Sequence, residues 1–247
     1  MEMPARSDAG AFYTHNDLQL GGKTVRNWSF LWDASNKVSL WVAYPLYASI
    51  LEANVDRTDA WGYDPLLPSS QQPDVTSTYT GSTSYARGHQ LPSADRLSSY
   101  AANASTFYST NMTPQCHDFN NNLWAQLESQ VRYWAKGCDT LYVVTGCIVE
   151  GSTRSTTDRN TGMRITVPTH YYKALLRLKN GSYTSCAYIY DHFAYLDGEL
   201  SADSFDMSAR VSVTEVEKKT GMTFFANLAS KVGESQAQLI KATASSW

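Results

Sequence analysis

Long hydrophobic runs are absent from this sequence, because none of its apolar stretches approaches the roughly 20 residues that a membrane-spanning helix needs. A strong charge of one sign is also absent, since 20 lysines and arginines stand against 23 aspartates and glutamates, for a net charge of −3. We therefore expect that the protein has no membrane partner and that its surface is not basic overall. Nothing indicates an obligate protein partner either.

A secretion signal is missing as well. Residues 1–10 contain no apolar h-region, so an exported protein with this sequence has already lost its signal peptide. The remaining composition is that of a folded chain: of 247 residues, 43% are apolar, 13% are aromatic and only 17% are charged. The starting expectation is a packed globule with a sizeable core.

Hydrophobic periodicity predicts the main elements. Residues 1–36 are polar and turn-rich, and the first strand is predicted over residues 38–47. A long helix is predicted over residues 121–136, where apolar side chains share one face and Gly137 follows as a C-terminal stop. The other predicted elements are a strand over residues 140–145, a hairpin of residues 170–178 and 183–190 around Asn180 and Gly181, and a short helix from the Ser212 capping box to Gly221.

No break in composition and no linker divides these elements. Residues 54–84 and 151–165 are rich in turn-forming residues and are predicted as surface excursions. The simplest account is one α+β domain over residues 1–247.

The four cysteines lack the CxxC spacing of structural zinc sites. A helix would hold Cys116 and Cys138 more than about 20 Å apart, and a strand would separate Cys138 from Cys147. The complete disulfide pairing that is left joins Cys116 to Cys147 and Cys138 to Cys186. Four reduced thiols, or a single bridge from Cys147 to Cys186, stay open as alternatives.

Three ordered blocks contain residues suited to phosphodiester chemistry: YARGHQLPSADR at residues 85–96, TNMTPQ at 110–115 and NNNLWAQLE at 120–128. In order and spacing they resemble the DNA/RNA non-specific endonucleases of the ββα-metal, or His-Me finger, group, whose pattern is a DRGH-type tetrapeptide, a downstream Asn-x-x-Pro-Gln and a helix that opens with Asn. Shorter similar segments extend the resemblance to about residues 37–228. It implies a central antiparallel sheet flanked by helices, and hydrolysis of DNA and RNA to 5′-phosphate ends.

The resemblance assigns His89 as the general base, a role that a neutral imidazole with a pKa of about 6.5 can fill near neutral pH. Arg87 and Arg57 are the candidates for contacting the phosphate and stabilising transition-state charge. Asn111 would bind phosphate or fix the histidine loop. The alternatives are a structural histidine, a surface arginine at position 57 and a plain turn residue at position 111.

Asn120 is the residue that the resemblance assigns as the sole direct protein ligand of Mg²⁺, with Mn²⁺ or another divalent ion as substitutes. An asparagine before a helix is also an N-cap, and Asn121 or Asn122 could be the ligand instead. Glu128 lies eight residues further, about 12 Å along a helix, so it would act through metal-bound water. A glutamate on an exposed helix face is its alternative.

One position departs from the family pattern, because Ala86 stands where the tetrapeptide commonly begins with Asp. We expect a lowered activity or a shifted pH optimum. Six basic residues lie between positions 154 and 179 and could form a nucleic-acid track or a solvated loop. They are Arg154, Arg159, Arg164, Lys173, Arg177 and Lys179.

The sequence therefore predicts a secreted or periplasmic, metal-dependent endonuclease without sequence or sugar specificity, with DNA and RNA as substrates. The alternative is a catalytically weak or inactive nucleic-acid-binding module on the same fold. A secreted polysaccharide-binding or polysaccharide-cleaving protein, which the abundant Tyr, Trp and Asn would suit, fits less well, because no pair of catalytic carboxylates is recognisable.

Overall fold

The computed structural model of the chain describes residues 1–5, 9–80 and 85–247. Its strands are, in chain order, β1 (Ala11–His15), β2 (Leu18–Leu20), β3 (Lys23–Val25), β4 (Trp28–Asp33), β5 (Val38–Leu46), β6 (Tyr85–His89), β7 (Met112–Cys116), β8 (Thr140–Ile148), β9 (Ser155–Thr157), β10 (Arg164–Thr166), β11 (His170–Lys179) and β12 (Ser182–Asp191).

The helices are α1 (Tyr100–Ser105), α2 (His117–Phe119), α3 (Ala125–Lys136), α4 (His192–Leu196), α5 (Val213–Thr220), α6 (Ala229–Val232) and α7 (Glu234–Ala242). A π-helical turn (Asn120–Trp124) joins α2 to α3 without a break. Short 3₁₀ turns lie at Ala48–Leu51, Ser69–Gln71, Ser93–Asp95, Ser109–Asn111 and Met207–Ala209.

Six strands form one antiparallel sheet in the order β1-β4-β5-β8-β11-β12. Both faces of this sheet are covered, so neighbouring apolar residues of one strand enter different cores. Val143 belongs to the cluster that includes Leu127 of α3, whereas Val144 belongs to the cluster that includes Val216 of α5. The predicted architecture, an antiparallel sheet flanked by helices, is confirmed.

A separate unit stands at one side of the sheet and consists of two strands and a helix. β6 pairs antiparallel with β7, and the helix from His117 to Lys136 follows directly. A Cβ at Gly88 in β6 would collide with the buried side chain of Gln115 on β7, which would then have to move. This ββα unit presents His89 at the end of one strand and Asn120 in the first turns of the helix.

His192 ties the ββα unit to the large sheet. Its buried ring accepts a hydrogen bond from the Cys116 backbone N–H at Nε2 (2.8 Å) and donates one from Nδ1 to the Pro168 carbonyl (2.8 Å). Burial lowers the pKa of His192 to about 4. Protonation would remove the acceptor that Cys116 uses, so the neutral ring is the stabilising form.

We expect the free energy of unfolding to fall as the pH drops from about 6.5 towards 4, because in this range the unfolded His192 binds a proton and the folded one does not. The contribution of this residue is up to roughly 3 kcal/mol. Urea unfolding of the wild type and of His192→Gln at pH 7.5 and 4.5 measures it. A variant that loses as much stability as the wild type over this interval would contradict the assignment.

The prediction for residues 1–36 is wrong, because this segment contributes two strands to the sheet. β4 is almost entirely buried, with Phe30 in one core and Leu31 in the other. The strand is only six residues long, follows the polar Asn27 and ends with Asp33, so its hydrophobic pattern is too short to identify it from the sequence. Antiparallel pairing with β5 stabilises β4 as a strand.

The two predicted excursions have different outcomes. Residues 54–80 are irregular apart from the 3₁₀ turn and isolated bridges, as predicted, and residues 81–84 lie outside the described residues. Residues 151–165 are not a plain loop, because β9 and β10 form a ribbon there. A bridge between Tyr79 and Asp158 joins the two segments.

All four cysteines are free thiols, so the predicted complete disulfide pairing is wrong. The single bridge is excluded by the sheet order, because Cys147 on β8 and Cys186 on β12 are separated by β11. Two strand spacings are roughly 10 Å, beyond the disulfide limit of about 7 Å. Secretion stays a prediction without disulfide support. Within the described residues, no helix is long and apolar enough to cross a membrane.

Candidate active site

A cavity of about 330 Å³ opens beside the ββα unit. Five of the six predicted site residues line it, although they come from a loop, a strand and a helix. They are Arg57, Arg87, His89, Asn120 and Glu128.

His89 closes the end of β6 with its ring between two aromatic side chains. Its centroid lies 5.5 Å from that of Trp61 and 5.0 Å from that of Phe107, both in edge contacts. Burial lowers the pKa of His89 to about 3, and the charges of Arg57 and Arg87 add to this. The ring is therefore neutral at physiological pH, and its Nε2 is shielded from solvent without a hydrogen-bond partner in the described part of the chain.

The two arginines of the cavity rest on aromatic faces. The guanidinium carbon of Arg87 lies 3.6 Å from the ring centroid of Trp61, and its Nη1 donates to the Val75 carbonyl (2.6 Å). Arg57 lies 4.7 Å from the centroid of Phe107, and its Nε donates to Asp59 Oδ1 (2.8 Å). Both cations keep further N–H donors for an anionic ligand.

Asn120 lies in the π turn and not before a helix. Its backbone is helical (φ −62°, ψ −46°), because the helix begins three residues earlier at His117. The N-cap alternative is therefore wrong. The Nδ2 of Asn120 donates to Asn121 Oδ1 (2.9 Å), and no other hydrogen bond within the described residues uses its side chain. The free Oδ1 is a neutral oxygen donor, and π turns are frequent at functional sites.

Glu128 is half-buried in front of a charged cluster that sequence reasoning missed. Burial raises the pKa of its carboxyl group, and the ammonium of Lys173 opposes the rise. Lys173 is fully buried, donates to Thr145 Oγ1 (2.8 Å) and lies 4.6 Å from the ring centroid of Trp124. Burial lowers the pKa of this lysine, and the carboxylates oppose that shift. A positive charge behind Glu128 favours its ionised form.

The family model for DNA/RNA non-specific endonuclease matches residues 8–231. The chain belongs to this family. A nuclease of Nostoc sp. is 32% identical over 214 residues, which cover 84% of this chain and 74% of the relative. Nuclease C1 of Cunninghamella echinulata var. echinulata is 32% identical over 202 residues, 78% of each chain.

A chain from the crystal structure of the EndoG/EndoGI complex superimposes with a TM-score of 0.67 and 22% identity, and the match covers 87% of this endonuclease and 86% of that chain. This similarity concerns the fold, and it confirms the predicted ββα-metal architecture. Membership of the family makes the chain a hydrolase that acts on nucleic acids. The family depends on a metal ion in general.

Asn111 does not line the cavity of the endonuclease, because its side chain is fully buried. Its Oδ1 accepts from the Leu91 backbone N–H (2.8 Å), and its Nδ2 donates to the carbonyls of Leu91 (2.9 Å) and Thr106 (2.7 Å). A contact with phosphate is thus excluded. Of the predicted alternatives, the structure supports the one in which Asn111 fixes the loop after His89.

Ala86, the departure from the family pattern, lies directly opposite Gln115 in the β6-β7 pair. Alternation along β6 places it on the other side of the strand from Arg87 and His89. The amide of Gln115 is buried, and neither of its polar atoms has a partner within the residues that the structure describes. An aspartate carboxylate at position 86, as in the family pattern, would therefore lie next to the Gln115 amide.

The six basic residues between positions 154 and 179 do not form one track. Lys173 is buried behind Glu128, and Arg154 forms an ion pair with Asp197 (2.7 Å). Arg177 lies over the ring of Trp247, 4.8 Å from its centroid. A run of basic residues along a strand alternates between faces and cannot be assigned to one surface from its sequence.

Sequence reasoning missed Trp61, Phe107 and the role of Lys173. The two aromatic residues lie in irregular segments where no periodicity indicates their direction. A signal for Lys173 exists, because it stands within the apolar run of β11, and a charge in a strand that is covered on both faces must be buried with partners.

Proposed function

We propose that this endonuclease hydrolyses phosphodiester bonds of DNA and RNA without base or sugar specificity, with Mg²⁺ or a similar divalent ion, and leaves 5′-phosphate ends. The observation that carries the proposal is the meeting of His89, Asn120, Glu128 and the two arginines in one cavity of about 330 Å³. Within the part of the chain that the structure describes, Asn120 has an unused Oδ1, and both arginines keep unused N–H donors.

His89 is the general base. Its neutral ring lines the cavity and can accept a proton from the attacking water. The low pKa keeps the ring in its accepting form over the whole physiological range. It also makes the ring a weak base, and proton transfer then needs a water that is itself acidified.

The donor set of the cavity fits a hydrated divalent ion. Within the described residues no group of three or more His, Cys, Asp or Glu could hold a metal, so a site rich in protein ligands does not form there. The Asn120 Oδ1 would be the direct ligand, and the Glu128 carboxylate would orient waters around the ion. A neutral ligand preserves the charge of the ion. When bound, the ion neutralises charge on the crowded phosphate and acidifies water.

Arg57 and Arg87 bind the non-bridging phosphate oxygens and stabilise the additional charge of the transition state. Contacts of this kind read the backbone of a nucleic acid and not its bases. This accounts for the proposed lack of sequence specificity.

A plasmid and an RNA test the proposal directly. We expect the purified protein to nick supercoiled plasmid and degrade RNA in Mg²⁺, and to do neither in EDTA. The nicked ends should be substrates for ligase without prior phosphorylation, as 5′-phosphates are. Binding of both nucleic acids without cleavage in Mg²⁺ or Mn²⁺ would favour the inactive binding module instead.

A further inference from the structure

Two aromatic side chains from separate segments form one unit beside the catalytic cavity. The rings of Trp61 and Phe107 meet edge to face, with centroids 4.7 Å apart and an interplanar angle of 83°. Backbone hydrogen bonds join their segments, from Gly62 N to the Phe107 carbonyl (3.4 Å) and from Ser109 N to the Gly62 carbonyl (3.0 Å). We call these two side chains the aromatic pair.

The aromatic pair contacts three cavity residues. Two are the arginines proposed to stabilise negative charge, and the third is the histidine proposed to accept a proton. Arg87 lies over the face of Trp61 at 3.6 Å, and Arg57 lies over Phe107 at 4.7 Å and over Trp61 at 5.8 Å. His89 makes edge contacts with both rings. A displacement of Trp61 would therefore move all three side chains.

An aromatic face holds a guanidinium group in a way that suits a phosphate site. Cation–π contact uses the flat face of the group, so the N–H donors in its plane stay free and its charge stays uncompensated. A carboxylate partner would occupy two donors and cancel the charge. Arg87 shows the first arrangement, because within the described residues its hydrogen bonding is limited to Nη1 and the Val75 carbonyl. Arg57 differs, since its Nε forms an ion pair with Asp59.

We propose that Trp61 is a positioning residue of the phosphate site. The indole face of Trp61 holds Arg87 so that the N–H donors of the guanidinium group point to the scissile phosphate. The inference rests on the proposed function, since it explains how the phosphate site keeps the remaining N–H donors of Arg87 unused before the substrate binds. Trp61 acts through Arg87, supported by Phe107, and takes no part in proton transfer.

Leucine and phenylalanine substitutions of Trp61 test this role. We expect Trp61→Leu to lower kcat/KM by about 10- to 100-fold, because misplacement of a binding group by about 1 Å can cost 10²-fold. Trp61→Phe keeps an aromatic face and should stay within about fivefold of the wild type. Trp247→Leu is the matched control, because the Trp247 ring lies 4.8 Å from the guanidinium carbon of Arg177 and does not line the cavity. The kcat/KM of this variant should be unchanged.

A double-mutant cycle separates positioning from a general loss of structure. In an Arg87→Ala background, Trp61→Leu should cost less than about threefold, because the group that it positions is already gone. Melting temperatures of all variants are measured beside the rates. The proposal is overturned if Trp61→Leu lowers kcat/KM by the same factor in the Arg87→Ala background as in the wild type. A folded Trp61→Phe that is as slow as Trp61→Leu would overturn it too.

Binding in EDTA distinguishes failure of this inference from failure of the proposed function. A fluorescein-labelled single-stranded oligonucleotide is titrated with each variant, and we expect Trp61→Leu to raise its Kd by about 3- to 10-fold. If the wild type does not cleave but Trp61→Leu still weakens binding, hydrolysis is refuted and the positioning role stands. If the wild type cleaves and Trp61→Leu equals it in both assays, the positioning role alone is refuted.

Discussion

His89→Ala is expected to lower kcat by about 10²- to 10⁴-fold, the usual cost of removing a general base. The expectation follows from the neutral ring of His89, which lines the cavity. The fold should persist, because His89 is the last residue of β6, outside the six-stranded sheet, and its ring makes edge contacts with aromatic rings. Rates of plasmid nicking at saturating Mg²⁺ measure the effect.

Two controls sharpen this test. His170→Ala removes a half-buried histidine that does not line the cavity, and it should leave kcat unchanged. Added imidazole should restore part of the activity of His89→Ala, because the vacated space adjoins a cavity that admits small molecules. A His89→Ala protein that is folded and as active as the wild type would remove His89 from the mechanism.

Asn120→Ala is expected to lower turnover by at least about 100-fold and to raise the Mg²⁺ concentration needed for half-maximal rate. The structure sharpens the expectation for its neighbour, because Asn121 accepts a hydrogen bond from Asn120 Nδ2 and so restricts the orientation of the Asn120 amide. Asn121→Ala should therefore weaken the metal affinity by about 10- to 100-fold, as loss of an orienting partner does.

Asn122→Ala is the control in this series, since Asn122 does not line the cavity. Its rate and its Mg²⁺ dependence should match those of the wild type. Calorimetric titration with Mg²⁺ checks the affinities independently of the rates. Asn120 would lose its place as the ligand if Asn121→Ala removed activity completely while Asn120→Ala kept it.

The parts of the fold that could be predicted from the sequence are those in which local chemistry decides the conformation. Asn180 and Gly181 adopt positive φ angles of 50° and 75°, which a two-residue hairpin turn of this type requires, and the hairpin of β11 and β12 follows from them. Ser212 and Glu215 form the capping box at the start of α5, and Gly221 ends that helix with a φ of 69°.

The parts that could not be predicted depend on partners that are distant in sequence. The start of the long helix differs from the expectation because Asn120 resembles an N-cap, whereas tertiary packing continues the helix back to His117. The position of Lys173 in the core depends on Glu128 and Asp95, which offset its burial from other elements. Similarly, Trp61 reaches the cavity through bonds between two irregular segments.

The candidate site was predictable to a greater extent, because the resemblance identified its residues and the fold brings five of them to one cavity. Asn111 is the exception. Its type and position in the motif are those of a polar site residue, but its three side-chain hydrogen bonds all go to backbone groups. A sequence motif thus records residues that build the site together with residues that react in it, and only burial separates the two.

The π turn at Asn120–Trp124 has a consequence for changes in chain length. A π turn is equivalent to an α-helix with one inserted residue, and one residue corresponds to a rotation of about 100° and a rise of about 1.5 Å. Deletion of a single residue within the turn would rotate Asn120 away from Glu128, while the apolar face of α3 kept its position on the sheet. Such a deletion would separate the proposed metal ligand from the rest of the site in a protein that still folds, so a change in length here should abolish activity without unfolding the chain.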